Sequence, residues 1–186
     1  MRHLPNLITL LRMLATVPLA WLIREDRYGE ALLLALAAGA SDALDGFLAK
    51  RFGWQSWIGG VLDPLADKLL LTACFVSLVV AGVLPAWLAV LVLARDVIIV
   101  SGAVAYHNLI EPIQAQPTWL GKITTVVQIA FVLATLLHLA DYLRLPPLAQ
   151  AALFWSVVAS TVASGIDYVL RWAARARRER RRRADP

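Results

Sequence analysis

The chain is poor in the residues on which many catalytic and structural sites are built. Among 186 residues it has one cysteine, Cys74, and three histidines, at positions 3, 107 and 138. A single cysteine excludes an intramolecular disulfide and a cysteine-based zinc site. Charged residues make up only 17% of the chain, and no repeat, low-complexity linker or second domain is visible. Length and composition therefore predict one domain.

Most of the chain is apolar. They make up 60% of the chain, above the roughly 45–50% of soluble domains, and the mean hydropathy is +0.67. They fall in six blocks of about the 20 residues that a helix needs to cross a bilayer, without the alternating polarity of barrel strands. We predict an all-α integral membrane protein whose transmembrane domain, residues 1–172, has six transmembrane helices. The blocks are residues 6–23, 30–52, 60–82, 85–107, 119–140 and 147–172.

Positive charge predicts the orientation of these helices. The last 16 residues carry eight arginines, and Lys50 and Arg51 follow the second block. With an even number of helices these groups share one side, so the positive-inside rule places both termini in the cytoplasm. We expect the inner membrane of a bacterium, with the basic tail, residues 173–186, on anionic lipid head groups. Nucleic acid is not an expected partner, because no aromatic or groove-reading element accompanies the tail.

Four aspartates interrupt the second and third blocks: Asp42, Asp45, Asp63 and Asp67. An aspartate at the centre of a membrane helix costs roughly 2.5–3.5 kcal/mol. Spacings of three and four residues place each pair on one helix face. A short turn near residues 53–56 would make the two helices antiparallel neighbours. The two acidic faces would then meet near the cytoplasmic ends of the helices.

Such a cluster needs positive charge, because neighbouring carboxylates raise each other's pKa values. Two divalent cations would supply it, and oxygen ligands suit Mg²⁺, Mn²⁺ or Ca²⁺ better than Zn²⁺. Gly46, Ala49 and Gly59 lie beside the acidic positions. They allow either close helix packing or the approach of a phosphate or nucleotide, and beside four aspartates we favour the second. Metal-bound carboxylates are typical of phosphoryl transfer, so the spacing predicts a membrane-embedded enzyme acting on a phosphate ester at a cytoplasm-facing site.

The segment from Asp42 to Asp67 resembles the signature of the CDP-alcohol phosphatidyltransferases, which is D-x2-D-G-x2-A-R followed by G-x3-D-x3-D. One position departs from it: Lys50 stands where the family has arginine, which keeps the charge but loses the bidentate fork. The N-terminal stretch PNLITLLR is similar to the family's P-N-x2-T-x2-R start, and Arg12 at its end is expected to support the site.

This resemblance implies transfer of a phosphatidyl or similar group from a CDP-linked donor, such as CDP-diacylglycerol, to an alcohol, with release of CMP. It implies two divalent cations, Mg²⁺ or Mn²⁺, on Asp42, Asp45 and Asp63. Asp67 would deprotonate the acceptor and also touch the second metal. Family members are often homodimers, so a homodimer is expected here. The residues expected to bind CDP are Asn6, Thr9, Gly46, Ala49, Lys50 and Gly59.

Arg95 in the fourth block and Lys122 near the start of the fifth are expected to bind the acceptor. They form either a cationic pocket for an acceptor phosphate or a buried ion pair and a snorkelling lysine. Their surroundings are similar to the R-D-V and P-T…K segments of eukaryotic-type cardiolipin synthases. The phosphatidylglycerophosphate synthases more often carry R-E and a further lysine, which is missing here. We therefore favour phosphatidylglycerol as acceptor, with glycerol 3-phosphate as the alternative.

Two functions of another class stay open. One is a non-catalytic membrane protein that binds metal and lipid, although a degenerate enzyme would be expected to lose at least one of the four aspartates. The other is a divalent-cation transporter, whose site usually lies near the midplane on broken helices and often within repeats.

Overall fold

The chain forms six α-helices, which a computed structural model describes over residues 4–52, 57–109 and 118–184. The helices are α1 Leu4–Arg24, α2 Tyr28–Phe52, α3 Trp57–Val80, α4 Ala86–Leu109, α5 Trp119–Leu139 and α6 Pro147–Ala184. The prediction of an all-helical chain is confirmed. Helix ends lie within three residues of the predicted ones, except that α6 continues without a break through most of the basic tail. The turn predicted near residues 53–56 lies outside the described residues.

Three of the described helices have both the length and the apolar composition of a membrane span. These stretches are Leu7–Arg24, Trp119–Leu139 and Pro147–Ala174. Helices α2, α3 and α4 have 25, 24 and 24 residues, more than the roughly 20 that a span requires. The described structure therefore supports an all-helical protein with three candidate membrane spans.

The ends of α1, α3 and α5 share one backbone design. In each, the residue after the last turn adopts a left-handed conformation, at Asp26 (φ 57°), Gly82 (φ 74°) and Asp141 (φ 59°). The next N–H donates to a carbonyl five residues back, as from Arg27 to Leu22 at 2.9 Å. This Schellman arrangement satisfies carbonyls that the helix leaves unpaired.

At the first of these turns, burial and a hydrogen bond to Asp26 raise the pKa of Tyr28 to about 12.

The first of two compact units comprises residues 1–89 and 132–146. Within it α1 packs against both α2 and α3. Leu19 and Ile23, one turn apart on α1, are fully buried, as are Phe75 and Leu78 on α3. These i, i+4 and i, i+3 spacings give each helix one contact face. The packing fixes the register of α1, and that register decides which α1 side chains reach the acidic residues.

The second unit comprises residues 90–131 and 147–186, and polar side chains join its helices. The Gln128 amide on α5 donates to Thr161 Oγ1 on α6 at 3.0 Å, and both residues are buried. One turn earlier, Thr124 Oγ1 donates to the Ser160 carbonyl at 3.0 Å. Hydrogen bonds of this kind hold helices together where lipid supplies no hydrophobic driving force between them.

Adjacent threonines on α5 allow the bond between helices to be tested. Thr124 Oγ1 lies within hydrogen-bonding distance of carbonyls on both α5 and α6, whereas Thr125 Oγ1 donates only to the α5 carbonyl of Gly121. We expect Thr124→Val to lower the free energy of unfolding by about 0.6–1.7 kcal/mol and Thr125→Val to lower it less. Unfolding in detergent micelles measures both. Equal losses would mean that the contact with α6 contributes nothing.

Candidate functional site

Helix α1 presents two polar side chains from an otherwise apolar stretch. Thr9 and Arg12 are three residues apart and so share a helix face. They are 0% and 2% exposed, respectively. Burial of a guanidinium requires ionic or hydrogen-bonding partners, and both side chains find theirs among the signature aspartates.

Arg12 joins carboxylates from two helices through a single nitrogen. Its Nη1 lies 2.6 Å from Asp42 Oδ1 on α2 and 2.7 Å from Asp67 Oδ1 on α3. The Arg12 side chain is completely buried, whereas those of Asp42 and Asp67 are 41% and 50% exposed. Charge-assisted hydrogen bonds of this length are among the stronger ones in proteins. The predicted meeting of the two acidic faces is thus observed for one carboxylate of each pair, and a buried cation holds it.

Thr9 holds a third signature carboxylate. Its hydroxyl donates to Asp63 Oδ1 at 2.6 Å. Helix α1 therefore binds one oxygen of Asp42, one of Asp63 and one of Asp67. The contacts are made to Oδ1 in all three carboxylates. Within the described chain, a ligand could use the second oxygen of each.

The chemistry of these donors fits a hard divalent cation. All are carboxylate oxygens, which Mg²⁺ and Mn²⁺ prefer and Zn²⁺ does not. The side chains described do not include a group of three or more acidic, histidine or cysteine residues arranged to hold a metal ion. The fourth signature residue, Asp45, has its side chain outside the described part. The structure thus supplies suitable donors, and the assignment of metal ligands stays a prediction.

The space beside Gly46 bears on the role of the small residues. A Cβ added there would meet no described atom within 4 Å, so the described residues give no packing reason for a glycine. An open position is compatible with the interpretation that it leaves room for a ligand, which stays a prediction. Thr9, by contrast, is buried and directed at Asp63. The other residues predicted to bind CDP have side chains outside the described part: Asn6, Ala49, Lys50 and Gly59.

Arg95, in the second unit, is buried and bound on two sides. Its Nη1 donates to Asp96 Oδ1 at 2.7 Å, and Nε and Nη2 donate to Ser164 Oγ at 3.2 and 2.9 Å. The Arg95 Cζ atom lies 5.9 Å from the centre of the Tyr168 ring. The buried ion pair, one of the two interpretations of this residue, is present. These bonds use three of the five guanidinium N–H groups, which leaves one on each terminal nitrogen.

The N-terminus of α5 lies against this arginine. Thr118 caps the helix by accepting a hydrogen bond from the Gly121 N–H at 3.0 Å, and its own N–H donates to the Tyr168 hydroxyl at 3.2 Å. A Cβ at Gly121 would lie 3.2 Å from Arg95 Nη2, so only glycine allows this approach without a shift. Lys122 is exposed and places its Nζ 5.2 Å from the Trp119 ring centre, as expected of a snorkelling lysine.

Several of these contacts do not follow from the sequence. It does not predict that Arg12 joins Asp42 to Asp67, that Thr9 binds Asp63, or that Ser164 and Tyr168 contact Arg95. A signal existed for α6, because the buried residues Thr161, Ser164 and Tyr168 recur at spacings of three and four in an apolar helix. That pattern predicts a polar contact face, but it does not say which residue the face contacts.

Comparison with known proteins gives a family match. The sequence model of the family described as CDP-alcohol phosphatidyltransferase matches residues 2–163. The chain is 34% identical, over 90% of its length and 94% of the relative's, to a CDP-diacylglycerol–glycerol-3-phosphate 3-phosphatidyltransferase of Bacillus subtilis. It is 33% identical, over 91% and 57%, to a chloroplastic enzyme of that name from Oryza sativa subsp. japonica. It is 34% identical, over 72% and 50%, to a human cardiolipin synthase (CMP-forming).

The coverage of these relatives is uneven. The chain spans about half the length of the rice and human proteins, but nearly all of the bacterial one. Some of the relatives are named for glycerol 3-phosphate as acceptor, and others are named as cardiolipin synthases. Overall similarity therefore does not choose between the two acceptors.

The bridge formed by Arg12 leads to a stability prediction. Arg12→Met keeps much of the side-chain volume but leaves Asp42 and Asp67 without their shared cation. Because removal of one partner from a buried ion pair is strongly destabilising, but these carboxylates are half exposed, we expect a loss of about 1–3 kcal/mol. Denaturant unfolding in detergent, without divalent cations, measures it.

The matched control is Arg27→Met, because Arg27 pairs with Glu30 and the two side chains are 46% and 55% exposed. That change should cost less than about 1 kcal/mol. If the two variants lose the same stability, Arg12 is no more important than a surface ion pair.

Proposed function

The chain belongs to the CDP-alcohol phosphatidyltransferase family, and from that premise we propose that it transfers a phosphatidyl group from CDP-diacylglycerol to an alcohol and releases CMP. One observation carries the proposal. Asp42, Asp63 and Asp67, which stand at the signature spacing, are each bound by the same face of α1. Each keeps one oxygen for a ligand, as a site for a charged substrate requires.

The proposal includes six membrane spans with both termini in the cytoplasm of a bacterium. The lengths of α2, α3 and α4 support it, since each exceeds 20 residues. The arginine-rich end of α6 supports the orientation, because positive charge is retained on the cytoplasmic side. Contact of that tail with anionic lipids, and a homodimer, stay predictions.

We assign the metal site to Asp42, Asp45, Asp63 and Asp67, with Mg²⁺ or Mn²⁺ as the two cations. When bound, such cations neutralise the pyrophosphate and stabilise the charge that develops during transfer. The protein's own contribution is positional. Thr9 and Arg12 fix one oxygen of three of these carboxylates, and fixing ligands in this way lowers the reorganisation needed during the reaction.

Asp67 has the properties of a general base. It is half exposed, and Arg12 holds only one of its oxygens, so the other can accept the proton of an acceptor hydroxyl. The hydroxyl oxygen then forms a bond to the lipid-bearing phosphorus. The bond from that phosphorus to the bridging oxygen breaks, and the electron pair leaves with CMP. The space beside Gly46 would admit the donor, and Asn6, Ala49, Lys50 and Gly59 would contact its CDP part. The contribution of Thr9 would pass through Asp63.

For the acceptor we propose Arg95 and Lys122 as contacts, with phosphatidylglycerol as the favoured substrate. Two N–H groups of Arg95 are left for a phosphate, which guanidinium binds well. Asp96 binds the same guanidinium at 2.7 Å and neutralises it in part. A singly charged phosphodiester suits such a pair better than a doubly charged phosphomonoester. Glycerol 3-phosphate stays the alternative, because the bacterial relative that the chain nearly spans is named for it.

An acceptor panel tests the activity directly. Purified protein with CDP-diacylglycerol and Mg²⁺ should release CMP when given phosphatidylglycerol, and more slowly with glycerol 3-phosphate, serine or inositol phosphate. Chelation of divalent cations should abolish the release because the pyrophosphate would lose its counter-charge. Identification of the lipid product decides between the acceptors. Absence of CMP with every acceptor would favour the non-catalytic alternative.

The role of Asp67 has its own test. Asp67→Asn keeps the size of the side chain but removes the base, so we expect turnover to fall by about 10²–10⁴-fold while Mn²⁺ still binds. The control is Asp167→Asn on α6, where the aspartate pairs with Arg171 and turnover should be normal. An Asp67→Asn protein with ordinary turnover would require another base.

A further inference from the structure

The contacts from α1 restrict how three signature aspartates can turn towards a cation. Arg12 binds one oxygen of Asp42 and one of Asp67, and Thr9 binds one of Asp63. Each carboxylate oxygen has two lone pairs, so a hydrogen-bonded oxygen can still bind a cation. The contact fixes the orientation of the carboxylate, however, and turning it to bring both oxygens onto one cation would strain that contact. Helix α1 therefore disfavours binding through both oxygens of these three ligands, although it would not itself touch the cation.

Cations differ in how much this limit matters. Ca²⁺ takes about 6–8 oxygens at roughly 2.3–2.6 Å in flexible geometry and often binds both oxygens of a carboxylate. Mg²⁺ requires a near-octahedral shell at about 2.0–2.1 Å and needs only one oxygen from each carboxylate. A set of carboxylates that each bind through one oxygen therefore suits the smaller cation and gives Ca²⁺ fewer protein oxygens.

We propose that Thr9 is a positioning residue that selects a small octahedral cation over Ca²⁺ by holding one oxygen of Asp63. The inference rests on the proposed metal-dependent function and deepens it, since it names a residue of this chain that decides which cation is accepted. Arg12 acts in the same way on Asp42 and Asp67.

Thr9 is the better of the two to test. Its hydroxyl is fully buried and lies 2.6 Å from Asp63 Oδ1, so removing it releases that oxygen directly. Because threonine is uncharged, the change leaves the charge of the cluster as it was. Replacing Arg12 would also remove a positive charge and raise the affinity for every cation, which would obscure selectivity.

The experiment measures cation binding, without substrate, to the full chain in detergent. Electron paramagnetic resonance of free Mn²⁺ gives the Mn²⁺ affinity, and competition gives that of Ca²⁺. In Thr9→Val we expect the ratio of Ca²⁺ to Mn²⁺ affinity to rise about tenfold, the lower end of what outer partners of metal ligands contribute. Thr9→Ser keeps the donor and should restore the original ratio.

Thr16→Val is the matched control, because Thr16 lies on the same helix but donates to the Met13 carbonyl. Its ratio should equal that of the unaltered protein. If Thr9→Val does not fold, Thr9→Ala removes the same hydroxyl without adding bulk.

An unchanged ratio of Ca²⁺ to Mn²⁺ affinity would overturn the inference. If both affinities also fell equally, Thr9 would be a purely structural residue. An unaltered protein that binds neither cation would contradict the metal-dependent function itself. Failure of the function and failure of the inference are therefore distinguishable.

Discussion

A single buried nitrogen, Nη1 of Arg12, joins two of the signature aspartates. It lies within 2.7 Å of carboxylates on both α2 and α3, so the helices that carry the signature aspartates meet through a residue of α1. Without this cation, the half-exposed carboxylates of Asp42 and Asp67 would repel each other. The packing of α1 against both helices brings Arg12 to this position, and the charge balance of the site depends on the contact.

The second unit also contains a buried arginine that is paired with polar side chains. Arg95 is buried, and Asp96, Ser164 and the ring of Tyr168 surround it. Buried polar groups in an apolar chain are tolerated only when they are paired. Each arginine thus has a structural role that does not depend on a bound substrate. An arginine with such a structural role can also serve function if some of its partners stay accessible to a ligand. The half-exposed carboxylates of Asp42 and Asp67 beside Arg12 meet that condition.

The sequence predicts the helices well because block length and apolar content are local properties. It predicts the aspartate faces because the spacings of three and four are also local. It cannot predict that Thr9 binds Asp63, since the two are separated by 54 positions and meet only through the packing register of α1 on α3. A glycine such as Gly82 indicates a left-handed turn at the end of a helix. Asp26 and Asp141 adopt the same left-handed conformation, and no glycine indicates it in the sequence.

The charge of the cluster suggests why the cation of α1 is kept as well as metal ions. The four signature aspartates carry four negative charges, and Arg12 leaves three. Two divalent cations would turn the site into one with a single positive charge, ready for a pyrophosphate that carries two negative charges. Without Arg12 the same site would be neutral before the donor binds. The buried arginine would thus bias a metal-loaded site towards an anionic substrate, a contribution that the spacing of the aspartates does not predict.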